Sequence, residues 1–233
     1  SLARAALAPA APAAPPSPLA SRHPEDASDS GAAGSRPRPL AAVAAGLRLN
    51  EFLAGPARDW DGSGAFSSRD DEWVEVMNAG AAALDLTGWF LTDGDSIPRY
   101  AFTGALAGGA RQLVTGRAAY DWVRASGHPA FGLSLGNSGD AVLLWKVTGA
   151  DTALVDSYHY ASHEAAADRA VGRIDDGETW GLFDGLNPYT GTAPPHGTGC
   201  DPTPAAGNAC LNTPALPVTW GRLKAIYRAP SAP

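Results

Sequence analysis

The segment Asp59–Gly64 carries the residues of this chain that are best suited to bind a metal ion. Side chains with oxygen atoms occupy the alternate positions Asp59, Asp61 and Ser63, and a glycine follows at position 64. A calcium-binding loop needs this pattern, because alternate oxygen ligands surround one ion and the glycine allows a sharp turn. The sequence therefore predicts a Ca²⁺ site in this acidic loop.

The same spacing predicts the remaining ligands of the ion. Ala65 would supply its backbone carbonyl, and Ser67 would hold a water molecule. Asp70 falls at the closing position, where Asp71 and Glu72 could substitute for it. The closing residue is shorter than the usual glutamate, and no helical pattern flanks the loop. An acidic loop without metal is the alternative interpretation, since clustered charges are often only solvated.

The negative charge of the chain is concentrated around this loop. The formal net charge is −7, and the range Glu51–Asp95 holds ten acidic residues but only two basic ones, Arg58 and Arg69. Proteins that bind the phosphate backbone of nucleic acids need clustered lysine and arginine, so we expect no nucleic-acid partner. No apolar run reaches the roughly 18 residues that a membrane-spanning helix requires.

No pattern in the sequence predicts a catalytic site. His159 and His163 are four residues apart, but Glu164 follows the second histidine, whereas the HExxH motif needs glutamate after the first. A third metal ligand is not apparent near them. The sequence also lacks a GxSxG nucleophile elbow and a glycine-rich phosphate loop. We therefore predict that the chain is not an enzyme.

Two cysteines, Cys200 and Cys210, are separated by nine residues that include two prolines and a glycine. The chain can turn back over this distance, so we predict a disulfide, which would contribute roughly 2–3 kcal/mol by closing the loop. A disulfide would also indicate an oxidising compartment. Two free thiols in a cytosolic protein are the alternative.

Short apolar runs between glycines and prolines predict an all-β fold for most of the chain. The predicted strands are Leu47–Leu53, Glu72–Asn78, Leu84–Leu91, Ile97–Phe102, Arg111–Thr115, Ala141–Val147 and Thr152–Tyr160. Alternation places Leu47, Leu49 and Leu53 on one face of the first strand. Helical spacing predicts short helices over 118–126 and 219–228. The predicted core tryptophans are Trp73, Trp89, Trp145 and Trp180.

The composition divides the chain into three parts. Residues 1–46 are rich in alanine and proline and lack aromatic residues, which predicts a disordered linker or the remnant of a signal peptide. Residues 47–210 form the predicted β-domain. Residues 211–233 form a C-terminal tail that contains the predicted helix 219–228.

Several short motifs follow one another along the predicted β-domain. They are Asn50-Glu51, Glu72–Asn78 (EWVEVMN), Asp85–Leu91 (DLTGWFL) with Asp93, Leu135–Asp140 (LGNSGD), Val155–Ser157, Gly172-Arg173, Asp176-Gly177 with Trp180, and Pro202–Asn208 (PTPAAGN). In this order they resemble the motifs of the lamin tail domain family in its prokaryotic form. Two departures are Gly136, where serine is common, and Ala205, where the family has glycine. The resemblance covers about Leu47–Asn208.

This resemblance implies an immunoglobulin-like β-sandwich and, in prokaryotes, a secreted or surface-attached module. We therefore expect a non-enzymatic binding or structural module, secreted or at the cell surface, with a protein or cell-envelope component as partner. The alternative is an accessory domain of a secreted nuclease, phosphatase or protease whose catalytic part lies outside this chain. Many members of the family sit beside hydrolase domains.

Overall fold

The computed structural model of the protein describes residues 46–128 and 131–210. The predicted linker (except Gly46) and the predicted helix 219–228 lie outside these residues. The described elements are β1 (Leu47–Leu53), β2 (Trp73–Asn78), β3 (Leu84–Asp85), β4 (Trp89–Thr92), β5 (Pro98–Ala101), β6 (Ala105–Leu106), β7 (Arg111–Thr115), α1 (Gly116–Ser126), β8 (Gly139–Thr148), β9 (Asp151–Ala161), β10 (Ala170–Arg173), a 3-10 turn (Ile174–Asp176) and β11 (Trp180–Phe183). None of the described helices is both long enough and apolar enough to cross a membrane.

The strands form two antiparallel sheets that pack face to face. One sheet has the order β11-β10-β1-β2-β7 and the other the order β5-β4-β8-β9, while β3 and β6 form a two-stranded ribbon. The main apolar core lies between the two sheets and includes Leu49, Val76, Leu91, Leu144 and Val171. This is the predicted all-β sandwich, and its formation follows from the alternation of apolar and polar residues along the strands.

A second, smaller apolar cluster lies on the outer face of the five-stranded sheet. Leu53, Trp73, Ala170 and Phe183 form it, and all four are fully buried. Trp60 of the acidic loop and Cys200 of the C-terminal segment pack over the cluster. This sheet is therefore covered on both faces, which explains why β2 carries apolar residues on both of its sides.

A β-bulge in β1 changes which of its residues face the main core. Leu49 pairs with Val76, but the next pair along the two strands is Glu51 with Glu75, so Asn50 is an extra residue. The bulge turns Leu53 to the outer cluster and Phe52 to the main core. The prediction that Leu47, Leu49 and Leu53 share one face is therefore wrong for Leu53.

The predicted strand Leu84–Leu91 is two strands separated by a turn. Leu84 and Asp85 form β3, and Trp89 begins β4. Gly88 in the turn has a φ of +80°, and a Cβ atom there would lie 2.9 Å from the carbonyl oxygen of Val147. The glycine thus allows the chain to reverse its direction close to β8.

The predicted short helix is confirmed as α1. The side chain of Thr115 caps its first turn by accepting a hydrogen bond from the Ala118 N–H. Gly127 ends the helix in the left-handed conformation, and its N–H donates to the Val123 carbonyl. The helix packs against β5 and β7, at one side of the sandwich.

The four predicted core tryptophans occupy three different environments. Trp89 is buried in the main core, and Trp73 is buried in the outer cluster. Trp180 is half-buried and packs against the main core, where its ring contacts Tyr158 at 4.5 Å between centroids. Trp145 departs from the prediction, because it belongs to neither cluster and stacks on Phe90 at the outer face of the four-stranded sheet.

Candidate cation site and buried carboxylate network

Three aspartates of the acidic loop converge on one point. One carboxylate oxygen each from Asp59, Asp61 and Asp71 lie within 4.8 Å of one another. Asp71 is fully buried, Asp61 is half-buried and Asp59 is exposed. Carboxylate oxygens are the ligands that calcium prefers, so this group is a candidate cation site with one side open to solvent.

Asp71 closes the loop by accepting backbone hydrogen bonds. Its Oδ1 accepts from the N–H groups of Trp60 at 2.6 Å and Asp61 at 2.9 Å, and its Oδ2 accepts from the Ser67 N–H at 2.7 Å. Asp59 accepts from the Gly64 N–H at 2.7 Å. These bonds hold the three carboxylates in place although they carry like charges.

No lysine or arginine of the described residues forms an ion pair with these three aspartates. Arg58 donates instead to Asp168 at 3.0 Å, and the Arg69 guanidinium lies over the ring of Phe131. A backbone hydrogen bond from Ser63 lowers the pKa of Asp61 below its ordinary value. The lowered pKa favours the ionised form of Asp61.

Trp60 fixes the loop to the outer face of the five-stranded sheet. Its ring packs edge-on against Trp73 with 6.2 Å between centroids, and its Nε1 donates to the Asp168 carboxylate at 2.9 Å. The other end of the loop is fixed at α1, where the Arg117 N–H donates to the Asp70 carbonyl. The candidate site is therefore held at one end by the packing of Trp60 and at the other by a backbone hydrogen bond.

The structure brings together some of the predicted ligands and separates others. Asp59 and Asp61 meet as predicted, and the third carboxylate is Asp71. Asp70, at the predicted closing position, is not part of the group. The reason is that Asp71 turns inward to accept the loop's N–H groups. The Ser63 hydroxyl donates to the Ala65 carbonyl at 3.0 Å, at the exposed turn of the loop.

Glu72 lies on the opposite side of the chain from the aspartate group. Its carboxylate accepts a hydrogen bond from the Leu135 N–H at 3.1 Å, inside the end of the sandwich. Burial raises the pKa of Glu72 to about 8, well above its ordinary value. The prediction that Glu72 could close the cation site is therefore corrected, because its carboxylate holds the turn before β8.

A buried carboxylate network lies beside the cation site, under the segment 200–210. The Glu51 carboxylate accepts hydrogen bonds from the Thr203 N–H at 3.0 Å and the Thr203 hydroxyl at 2.7 Å. The Glu75 carboxylate accepts from the Ala205 N–H at 2.7 Å. Both glutamates project from the outer face of the sheet, and this segment covers them.

Two asparagines complete the network. The bulged residue Asn50 donates to Glu75 at 2.8 Å and to the Asp176 carboxylate at 3.0 Å. Asn208 donates its side-chain N–H to the Asn50 carbonyl and its backbone N–H to Asp176. Arg111 forms an ion pair with Asp176. The segment 200–210 is thus bound to β1, β2 and the 3-10 turn through polar side chains.

The disulfide between Cys200 and Cys210 holds the two ends of this segment. The prediction of a disulfide is confirmed. Gly172 of β10 allows the segment to approach, since a Cβ atom there would lie 2.8 Å from the Asn208 side chain.

A cleft of about 370 Å³ opens between β1, β9 and the loop before β11. Four charged residues line it, but they are paired with one another. Arg48 and Glu178 are 2.8 Å apart, and Arg173 and Asp156 are 3.0 Å apart. These charges are therefore already compensated within the cleft.

The two histidines lie apart from the aspartate group. His159 is exposed on β9, and His163 packs against the ring of Tyr189 at 4.9 Å between centroids. Neither belongs to a group of three metal-ligating side chains within the part of the chain that the structure describes.

Sequence reasoning missed the roles of Asp168, Thr203 and Asn208. Thr203 and Asn208 lie in the motif 202–208, which marked them as characteristic of the family. Their spacing along the chain does not show which carboxyl groups they bind. Asp168 carries no signal of its own in the sequence. Its position is set by the loop before β10, where it binds the Ala57 N–H, Arg58 and Trp60.

Two face-to-face antiparallel sheets with a buried polar network define an immunoglobulin-like β-sandwich domain. The sequence model of the lamin tail domain family matches residues 41–162, which is more than half of the chain. The chain therefore belongs to the lamin tail domain family, which is a family of non-catalytic domains. Comparisons with curated proteins and with solved structures found no match.

The buried carboxyl groups predict a dependence of stability on pH. Burial raises the pKa of Glu51 from 4.5 to about 8, although hydrogen bonds from Thr203 oppose the shift. The folded chain therefore keeps this proton in a range where the unfolded chain has lost it. We expect the free energy of unfolding to fall as pH rises from about 5 to about 8, by at most about 1.4 kcal/mol per pH unit for one carboxyl group.

Urea denaturation at several pH values measures this slope. Glu51→Gln keeps the size of the side chain but removes its titration, so its stability should fall less steeply across the same range. Glu178→Gln is the matched control, because Glu178 is 86% exposed. Equal slopes in the wild type and Glu51→Gln would contradict the assignment.

The backbone at Ala205 predicts a stabilising substitution. Ala205 has a φ of +61°, in the left-handed region, where a Cβ atom costs about 1 kcal/mol. We expect Ala205→Gly to raise the free energy of unfolding by about 0.5 kcal/mol, because the relieved strain exceeds the added entropy of the unfolded chain. Ala206→Gly is the matched control and should not stabilise. Equal destabilisation by both substitutions in urea would disprove the account.

Proposed function

We propose that this chain is a non-enzymatic binding or structural module, secreted or displayed at the cell surface, whose acidic loop is stabilised by Ca²⁺. The observation that carries the calcium proposal is the convergence of Asp59, Asp61 and Asp71 within 4.8 Å. Membership of the lamin tail domain family supports the module. The disulfide supports an oxidising compartment, as expected for a secreted protein.

Electrostatics supports a cation at the loop. Three carboxylates are held together by backbone N–H groups, and the nearby arginines Arg58 and Arg69 have other contacts. A divalent ion would compensate the repulsion among the aspartates. The Ala65 carbonyl and water molecules at the exposed side would complete an oxygen-only ligand set, which suits calcium.

The proposed partner is a protein or a component of the cell envelope. The exposed rim of the acidic loop carries Asp59 and the large apolar residue Phe66, which is 53% exposed. A surface with negative charge and an apolar anchor suits a partner surface with basic and apolar groups. Nothing in the described residues favours an accessory role beside a hydrolase over this binding role.

Calcium binding predicts a rise in thermal stability. We expect added Ca²⁺ to raise the free energy of unfolding by about 1.4 kcal/mol at ten times the dissociation constant, since the ion would bind only the folded loop. Asp61→Asn should abolish this effect. Asp70→Asn removes a charge from the same loop but not from the aspartate group, so it should keep most of the effect.

Thermal melting with EDTA, Ca²⁺ and Mg²⁺ measures the effect in all three proteins. A melting temperature that is the same with EDTA and with millimolar Ca²⁺ would exclude the site. A loss of the calcium effect in Asp70→Asn equal to that in Asp61→Asn would mean that the loop's net charge, and not the aspartate group, is responsible.

The binding role predicts cosedimentation of the protein with isolated cell envelopes. If the rim of the loop is the contact surface, Phe66→Ser should weaken the association at least several-fold while leaving the melting temperature unchanged. Phe131→Ser is the matched control, since Phe131 is 62% exposed on another loop. Recovery of all protein in the supernatant would contradict an envelope partner.

A further inference from the structure

The outer face of the four-stranded sheet carries a row of apolar side chains that crosses all four strands. Strand pairing aligns Ala101 with Phe90, Phe90 with Trp145, and Trp145 with Leu154. The rings of Phe90 and Trp145 stack with only 10° between their planes. None of these four residues belongs to the main core or to the outer cluster of the other sheet.

The row ends at the edge strand β9, where it is most exposed. The first four residues of β9, 151–154, are all exposed, and Leu154 keeps 48% of its surface in contact with solvent. A bulge at Val155 follows, because Leu144 pairs with Asp156 while Trp145 pairs with Leu154. Val155 packs toward the main core, so the bulge separates an exposed half of β9 from a half that lies over β1.

The outer edge of β9 lacks a strand partner within the described part of the chain. The other edge strands of the two main sheets, β11, β5 and β7, each contact another segment. β11 is bordered by residues 196–198, since the Leu182 N–H donates to the His196 carbonyl and the Thr198 N–H donates to the Leu182 carbonyl. α1 packs against both β5 and β7. Within residues 46–128 and 131–210, β8 is the only strand that pairs with β9.

The exposed half of β9 before the bulge also lacks common devices that keep edge strands apart. Natural edge strands often carry lysine, proline or inward-pointing charges that block pairing with another chain. β9 (DTALVDSYHYA) contains no lysine, arginine or proline. The one inward-pointing charge, Asp156, accepts the Leu49 N–H and pairs with Arg173, and it lies beyond the bulge, outside the exposed half. Asp151, at the beginning of the strand, is the remaining acidic residue.

We propose that β9 pairs with β9 of a second copy of this chain, antiparallel and about a two-fold axis at Ala153. This register uses only the exposed half of the strand before the bulge. It places Ala153 opposite its own copy, Thr152 opposite Leu154, and Asp151 opposite Val155. No like charges face each other, and each Leu154 gains a β-branched neighbour on the outer face.

The pairing would join the two four-stranded sheets into one sheet of eight strands. The outer apolar row of one copy would then meet that of the other at Leu154. Because only about five residues of each strand take part, the interface is small, and we expect a weak, reversible dimer. The proposal is independent of the calcium site, which lies on the other sheet.

Analytical ultracentrifugation of the full chain from about 1 μM to about 1 mM tests the association. We expect the average mass to rise toward that of a dimer with concentration. Leu154→Lys should weaken the association at least ten-fold, because it places two ammonium groups beside the two-fold axis. Phe131→Lys is the matched control and should associate like the wild type, since Phe131 is also a large exposed apolar residue, at 62%, but is not on β9.

The register is tested separately by a cysteine at the two-fold axis. Ala153→Cys should form a covalent dimer under mild oxidation, because directly opposite residues bring their Cβ atoms within disulfide range. Ser157→Cys, beyond the bulge on the same strand, should not. A constant monomeric mass at all concentrations would overturn the proposal. A dimer that is insensitive to Leu154→Lys, or in which Ala153→Cys fails to cross-link, would exclude this edge as the interface.

Discussion

The burial of Glu51 and Glu75 beneath the segment 200–210 is the constraint on which the rest of the structure depends. Both carboxyl groups project from the outer face of a sheet, where water would otherwise solvate them. Removing them from water costs several kcal/mol unless hydrogen-bond donors replace the solvent. Thr203 and Ala205 supply these donors, and the disulfide holds the ends of their segment. The same segment also covers the outer apolar cluster through Cys200. Its detachment would therefore expose the two carboxyl groups and the apolar cluster together.

The buried carboxyl groups bind residues of motifs that lie far away along the chain. Glu51 and Thr203 are 152 positions apart, yet they are hydrogen-bond partners, and Glu72 meets the turn at Leu135 in the same way. The sandwich, most of the strands, α1 and the disulfide could be predicted, because alternation, capping residues and cysteine spacing are local signals. The pairing of motifs could not be predicted, because the order along the chain does not show which carboxyl group faces which loop.

Two single-residue bulges interrupt the alternation of side-chain direction, and the first of them accounts for the wrong prediction at Leu53. The extra residue Asn50 turns Leu53 away from the main core, and the extra residue Val155 separates Leu154 from the residues that follow it. A bulge reverses the alternation for all residues beyond it, so a period-two pattern fails at that point. Neither residue type marks a bulge in the sequence. The bulges are fixed by distant partners, since Asn50 binds Glu75, and Asp156 beside Val155 binds the Leu49 N–H.

The outer faces of the two sheets differ in what covers them. The five-stranded sheet is closed by the acidic loop through Trp60 and by the segment with Cys200, so contact there is limited to the rim of the loop. The apolar row of the four-stranded sheet is buried at Phe90, half-buried at Trp145 and exposed at Leu154, so contact there is open at the β9 edge. The two sheets are about 10 Å apart, and the packed core between them deforms little. A cation at the loop on the five-stranded sheet and a second copy at the β9 edge of the four-stranded sheet would therefore bind independently of each other.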